Sequence, residues 1–353
     1  MSARPEDHTG PAEQLAGLVV NEKWAILERL ARDGGDTGST RSSCYRAVSL
    51  DGRHAFVKAY DFRRDDIGGD TEKLQRILSE FNNEKRIHEH CRDRKLSRVT
   101  QIYDHGVVVV GGQGVHFLVC EYAERSLRNY HPPGEESVPA CERLIALKKI
   151  ASALIQLHTA GVAHQDVKPS NAVYFDDDRI KITDLGSASC IHLPAPPHDD
   201  DPYVGQPNYA PYELLYNTGT TGNWHRRRYG CDVFLLGNLI FTSFVGHSLT
   251  PLAMHAIGDK LWPTAFSDTY DEVLPDLISA HALIIPAFLG ECVPDSIAAQ
   301  LIHLVSSLCH PDPGKRGLST ASPGSTNSFA LHRCVGVLNT LATRARLNDL
   351  RQR

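Results

Sequence analysis

An α+β fold, strands gathered in the first third and helices in the remainder, is what this 353-residue sequence predicts. Three observations carry it. Cys44–Leu50 with Ala55–Tyr60, and Val107–Val110 with Val115–Tyr122, are short runs rich in β-branched and aromatic residues separated by glycine turns, the pattern of hairpins. Ser137–Thr159 spaces Leu144, Leu147, Ile150, Ala151, Leu154, Ile155 and Leu157 along one helical face and stops at Gly161. Asp232–Phe244 is apolar nearly all round, as a buried central helix is, and residues 250–308 keep a helical period.

Composition narrows the classes. A formal charge of −5 and a pI near 6.4 argue against a general nucleic-acid binder. No apolar run is read as reaching the ~20 residues that span a bilayer, and the start, MSARPEDHTGPAEQ, lacks the basic-then-apolar layout of a signal peptide. Nine cysteines without CxxC pairs suggest reduced thiols and a cytoplasmic protein. No membrane or nucleic-acid partner is expected. His88-Glu89-His90-Cys91 has no second ligand cluster to complete a zinc site, so it reads as helix surface.

Taken in order, residues 1–20 read as a flexible lead-in, 21–345 as the folded domain and 346–353 as a tail. Trp24–Leu30 is ambiguous between helix and strand. Gly34–Thr40 is a glycine-rich turn before the first hairpin, and Asp51-Gly52 reads as a two-residue hairpin turn. Lys58 lies in an apolar strand and needs an anionic partner. The helical stretch Thr71–Cys91 offers Glu80 and Glu84 for that purpose. His225-Arg226-Arg227-Arg228 reads as a solvated turn ahead of the central helix, and 329–353 as a basic amphipathic helix packed on the rest.

The chemistry concentrates between His164 and Gly186. Residues 172–175 and 179–183 are β-prone, with Asp176–Asp178 as the turn between them. Folded as an antiparallel hairpin, they bring Asn171 and Asp184 to its open end, on strands about 5 Å apart. An amide oxygen and a carboxylate converging there suit Mg²⁺, which takes few protein ligands and completes its shell with phosphate and water. Asp166, on the same loop, is then a carboxylate beside a nucleotide-bound metal.

His164-Gln165-Asp166-Val167-Lys168-Pro169-Ser170-Asn171 resembles the catalytic loop H-R-D-x-K-P-x-N of eukaryotic-type protein kinases, with glutamine in place of arginine. Asp184-Leu185-Gly186 is similar to their D-F-G. The resemblance implies a two-lobed fold, a β-rich lobe over about 21–122 and a helical lobe over about 123–345, using ATP and Mg²⁺ on a protein hydroxyl. It implies Asp166 as catalytic base, Lys168 at the γ-phosphate as in serine/threonine kinases, and Asn171 and Asp184 on the metal. Lys58 would meet the α- and β-phosphates and pair with Glu84, and Gly38 would belong to the phosphate loop. Glu121 and Ala123, after Cys120, would supply hinge backbone to adenine, and Val173 the pocket floor. Gly205–Glu213 resembles the end of an activation segment, Glu213 and Arg316 a long-range pair, and Asp232 the support beneath the catalytic loop.

Several positions depart from that pattern. The second and third glycines of G-x-G-x-x-G fall on Ser39 and Ser42. Phe56 stands where the family has a small alanine over the purine, and Gln206 where it has threonine. Gln165 cannot form a bidentate ion pair with a loop phosphate, so activity independent of activation-segment phosphorylation is expected. A pseudokinase acting as a binding module and a small-molecule phosphotransferase stay open as alternatives.

Overall fold

The computed structural model describes residues 10–31, 42–60, 71–135, 137–175, 178–217, 223–266, 269–318 and 329–352. The glycine-rich turn with Gly38 lies outside them. The chain divides into two compact units, one of residues up to 93 with 100–123, the other of 94–99 with 124 onward. The first is strand-rich and the second helical, the α+β arrangement expected.

The first unit is built on a six-stranded antiparallel sheet in the order β1-β2-β3-β4-β6-β5. Its strands are β1 (Val19–Val20), β2 (Trp24–Arg29), β3 (Ser42–Ser49), β4 (His54–Tyr60), β5 (Ile102–Val110) and β6 (Gln113–Glu121). Trp24–Leu30, ambiguous by pattern, is therefore mostly strand. The β3–β4 turn is a three-residue loop, Leu50-Asp51-Gly52, not the two-residue turn expected, with Gly52 left-handed at φ 83°. In contrast, β5 and β6 meet through two residues, Gly111 and Gly112, both at positive φ, as a tight hairpin with the right twist demands.

Alternation along β4 sorts its side chains. Ala55, Val57 and Ala59 enter one core with Tyr45, Phe117 and Val119, while Phe56 and Tyr60 face the other with Phe81, Leu118 and Cys120. Helix α1 (Thr71–Asp93) supplies Phe81, whose ring sits edge-on to Tyr60 at 5.1 Å. Within α1, His88 and His90 are buried, not on the surface as expected, and no group of three metal-ligating side chains occurs among the described residues.

Residues 10–20 correct the reading of a flexible lead-in. Ala12 and Leu15 are fully buried in the first core. Tyr45 Oη donates to Ala12 O at 2.6 Å, and Trp24 Nε1 donates to Asp104 Oδ2 at 3.1 Å. Burial of a leucine side chain contributes about 1.5–3 kcal/mol, enough to hold so short a segment.

The second unit carries α2 (Leu127–Tyr130), α3 (Ala140–Thr159), α4 (Tyr212–Leu215), α5 (Trp224–Val245), α6 (Leu249–Ile257), α7 (Tyr270–Cys292), α8 (Asp295–Leu308) and α9 (His332–Gln352). Small strands β7 (Arg125–Ser126), β9 (Ala172–Tyr174) and β10 (Ile180–Ile182) form one sheet, and β8 (Val162–Ala163) pairs with β11 (Ser189–Cys190). Helix α5 is buried from Gly230 to Phe244. A Cβ at Gly237 would lie 2.5 Å from Cys309 Sγ, so the contact with α8 needs glycine there.

Three expectations change in this unit. His225–Arg228 is the first turn of α5, capped by Asn223 Oδ1 accepting from Arg226 N at 3.0 Å, and Arg228 is buried. Helix α9 runs on to Gln352, so 346–352 is its last two turns, not a separate tail; it lies along α3 and α8 with Cys334, Leu338, Leu341 and Ala345 buried. Helix α7 is long and apolar enough by length and composition to cross a membrane, a run that the sequence reading discounted. Val273, Leu277, Ile285 and Leu289 on its inner face are buried, and Leu283 outside is 74% exposed. None of the nine cysteines forms a disulfide.

Candidate active site

Between α3 and β9 the chain makes a loop held from below by one carboxylate. Asp232, wholly buried on α5, accepts from His164 N at 2.8 Å and from Gln165 N at 2.7 Å. His158 Nε2 stands 2.8 Å from the same Oδ2, its ring stacked on Tyr229. Hydrogen bonds to a charged acceptor contribute about 1.5–3 kcal/mol each. Gln165 needs such support, because its φ is 64°, in the left-handed region that a residue with a long side chain rarely adopts.

His164 is fixed as well. Asp166 N–H donates to its Nδ1 at 3.2 Å, which leaves Nδ1 unprotonated and assigns the ring proton to Nε2, 3.0 Å from Thr183 O. The imidazole is therefore a strut between the loop and the strand leading to Asp184.

Asp166 is buried at the centre of this loop. Its Oδ2 lies 2.9 Å from Lys168 Nζ and accepts from Asn171 Nδ2 at 3.0 Å. Its Oδ1 accepts from Gln206 N at 3.2 Å. Burial raises its pKa first of all, the Lys168 ammonium opposes that rise, and Asp184 adds to it. A carboxylate has about four lone-pair sites, so three accepted bonds leave one for a further donor. Gly205 comes so close that a Cβ would sit 2.7 Å from Asp166 Oδ1 and 2.8 Å from Gln165 O. Where the resemblance places a threonine side chain, the contact is made by the Gln206 backbone.

The expected hairpin is present, with Ala172 opposite Ile182 and Tyr174 opposite Ile180. Thr183 N donates to Asn171 O at 3.0 Å, so Asn171 and Asp184 stand side by side at its open end. Asp184 is half-buried and left-handed at φ 62°. Asn171 directs its Nδ2 to Asp166 O and Oδ2, which turns the amide oxygen away from that carboxylate. Val173 is half-buried on β9, between Lys181 and Ser126 in register.

In the first unit, Lys58 Nζ lies 3.0 Å from both carboxylate oxygens of Glu84. Tyr60 Oη donates to the same carboxylate, a partner the sequence did not reveal although Tyr60 shares Lys58's face of β4. Glu80, the competing partner, is bonded to Arg76 at 3.4 Å. Phe56 also shares that face and packs against the Tyr60–Phe81–Leu118 cluster. Glu121 donates its N–H to Gln101 O at 2.8 Å, and its carboxylate accepts from Gln101 N at 3.1 Å. Ala123 is half-buried at the end of the unit.

Glu213 and Arg316 pair through both oxygens, at 2.6 and 2.9 Å, with Arg316 wholly buried. Arg316 also donates to His310 O at 3.1 Å and Gly230 O at 3.2 Å, so the guanidinium leaves water without losing partners.

A strand-rich unit with a paired lysine and glutamate, and a helical unit carrying aspartate, lysine and asparagine on one supported loop, define a phosphotransferase class of fold. The protein kinase domain family matches residues 38–322, and the chain belongs to that family. Among curated proteins it is 28% identical over 273 residues to a dual serine/threonine and tyrosine protein kinase of Strongylocentrotus purpuratus, covering 73% of this chain and 27% of that protein. It is 22% identical over 272 residues to the hormonally up-regulated neu tumor-associated kinase of Mus musculus, covering 76% and 32%. It is 25% identical over 319 residues to the serine/threonine-protein kinase PknL of Mycobacterium tuberculosis, covering 90% and 67%. The chain thus spans under a third of the first two relatives.

Proposed function

We propose that this chain is an active protein kinase that transfers the γ-phosphate of ATP to serine or threonine hydroxyls of a protein. The observation that supports this most is Asp166, held between Lys168 Nζ and Asn171 Nδ2 on a loop anchored to Asp232. Asp166 accepts the proton of the attacking hydroxyl and orients its oxygen. Lys168 balances charge at the transferred phosphate, and Lys58, paired with Glu84, is a phosphate-binding lysine. The oxygen donors of Asn171 and Asp184 fit Mg²⁺, which neutralises phosphate charge when bound. The serine/threonine assignment rests on Lys168 and on the name of one relative, while another is named for dual specificity.

The test is phosphoryl transfer from radiolabelled ATP with Mg²⁺ to generic protein acceptors and to the chain itself, followed by phosphoamino-acid analysis. Label on serine or threonine is expected. Label on tyrosine alone would overturn the acceptor assignment, and label confined to small molecules the protein-kinase reading. No label together with retained nucleotide binding would make the chain a pseudokinase.

A further inference from the structure

Arg228 sits in the first turns of α5, only 3% exposed, and none of the catalytic roles above uses it. Its Nη1 donates to Gln165 Oε1, and its Nη2 pairs with Asp199 Oδ1. The amide nitrogen of Gln165 in turn donates to Ser187 O and Ser189 Oγ, both at 2.8 Å. Arg227, alongside, donates to Asp199 O and to Asp201 O, the latter at 3.0 Å. One guanidinium therefore ties the catalytic loop to the middle of the segment after Gly186, and through Gln165 to its start. The far end of that segment is Gly205-Gln206, already seated on Asp166.

A guanidinium taken out of water requires an anion, and the neutral amide of Gln165 does not provide one. Asp199 does. It is a carboxylate encoded in the chain, and with Asp200 and Asp201 it makes this region acidic before any modification. A phosphate added here would meet like charge and find Arg228 already engaged.

We propose that Arg228 and Asp199 form an encoded latch, in which Arg228 is a positioning residue that holds segment 187–206 against the catalytic loop without covalent modification. The latch bears on catalysis only if Asp166 is the base proposed above; its effect on segment order is independent of that. Gln165 is then the coupler: its oxygen reads the latch and its nitrogen holds Ser187 and Ser189.

The experiment compares the full chain with Arg228→Met, Asp199→Asn, Asp199→Glu and the Arg228→Met/Asp199→Asn double variant, all phosphatase-treated and shown by mass spectrometry to be unmodified. One readout is the rate of limited proteolysis within 187–206; the other is kcat and KM for ATP. Unmodified wild type should be protected and active. Arg228→Met and Asp199→Asn should each be cut about tenfold faster and lose about tenfold in kcat, with KM for ATP within about twofold. Asp199→Glu should restore most of both, and the double variant should be no worse than the poorer single one. Asp199 is 38% exposed, so Asp199→Asn decides the matter even if Arg228→Met fails to fold. Protection of Asp199→Asn equal to wild type, losses that multiply in the double variant, or collapse of wild-type protection on phosphatase treatment would each overturn the latch. A wild type that transfers no phosphate sinks the kinase reading, and the proteolysis still decides the latch.

Discussion

Arg316 closes on Glu213 as a two-pronged pair, Nη1 to Oε1 at 2.6 Å and Nη2 to Oε2 at 2.9 Å, although the two are 103 positions apart in sequence. Removing one partner strands the other charge in a site without water. Arg316→Met should therefore lose about 3–5 kcal/mol of stability, read as a lower denaturant midpoint, and pairing it with Glu213→Leu should recover part of that loss. A single variant within about 1 kcal/mol of wild type would mean that the pair is solvated.

Asp166→Asn keeps the shape and most hydrogen bonds of the carboxylate but cannot take a proton. It should stay folded but melt at a lower temperature, because buried Lys168 loses its carboxylate, and lose about 10²-fold or more in turnover. Turnover within a few-fold of wild type would remove Asp166 from the chemistry.

Phe56 packs on the same cluster as Phe81 and Leu118 and shares a strand face with Lys58. Phe56→Ala should cost the first unit about 1–3 kcal/mol, less than a fully buried phenylalanine, because the ring is only half-buried. Calorimetry should at the same time show tighter ATP binding as the ring is removed. A fall in affinity would mean that the ring only packs.

His281 is buried against Tyr212, its Nε2 2.7 Å from Tyr212 Oη. Burial, with His310 and Arg316 nearby, lowers its pKa from 6.5 to about 3. The folded chain thus refuses a proton that the unfolded chain accepts. Stability from this site is full above pH 6.5 and drains away as pH falls toward 3. The slope is at most about 1.4 kcal/mol per pH unit. His281→Gln should flatten the stability curve in that window; an unchanged slope would show that the imidazole is hydrated.

What the sequence disclosed was local. His164, Asp166, Lys168 and Asn171 lie within eight consecutive positions, and the hairpin that brings Asp184 back is written in two β-prone runs. The Lys58–Glu84 pair was legible only in part, since the helical pattern left Glu80 and Glu84 both open and the family resemblance chose Glu84. Arg228 was not, since a run of basic residues before an apolar helix looks like solvated surface until Asp199 and Gln165 fold onto it. The Gln206 contact was hidden for another reason: it is made by a backbone N–H, which every residue but proline carries. Residues 10–20 were misread because three buried side chains, Ala12, Leu15 and Val20, are too few to raise a periodic signal.

That N-terminal stretch also sets an order of assembly. The Tyr45–Ala12 bond closes 33 residues of chain, whereas β5 and β6 meet across two. Closure entropy grows with the logarithm of the span, so the hairpins form first and residues 10–20 arrive on a sheet already made. Last to dock, they are first to leave. Native-state hydrogen exchange should release the amides of Leu15 and Leu18 ahead of that of Val57, and loss of the stretch would bare Tyr45, Ala47 and Phe117 as the seam along which the first unit opens.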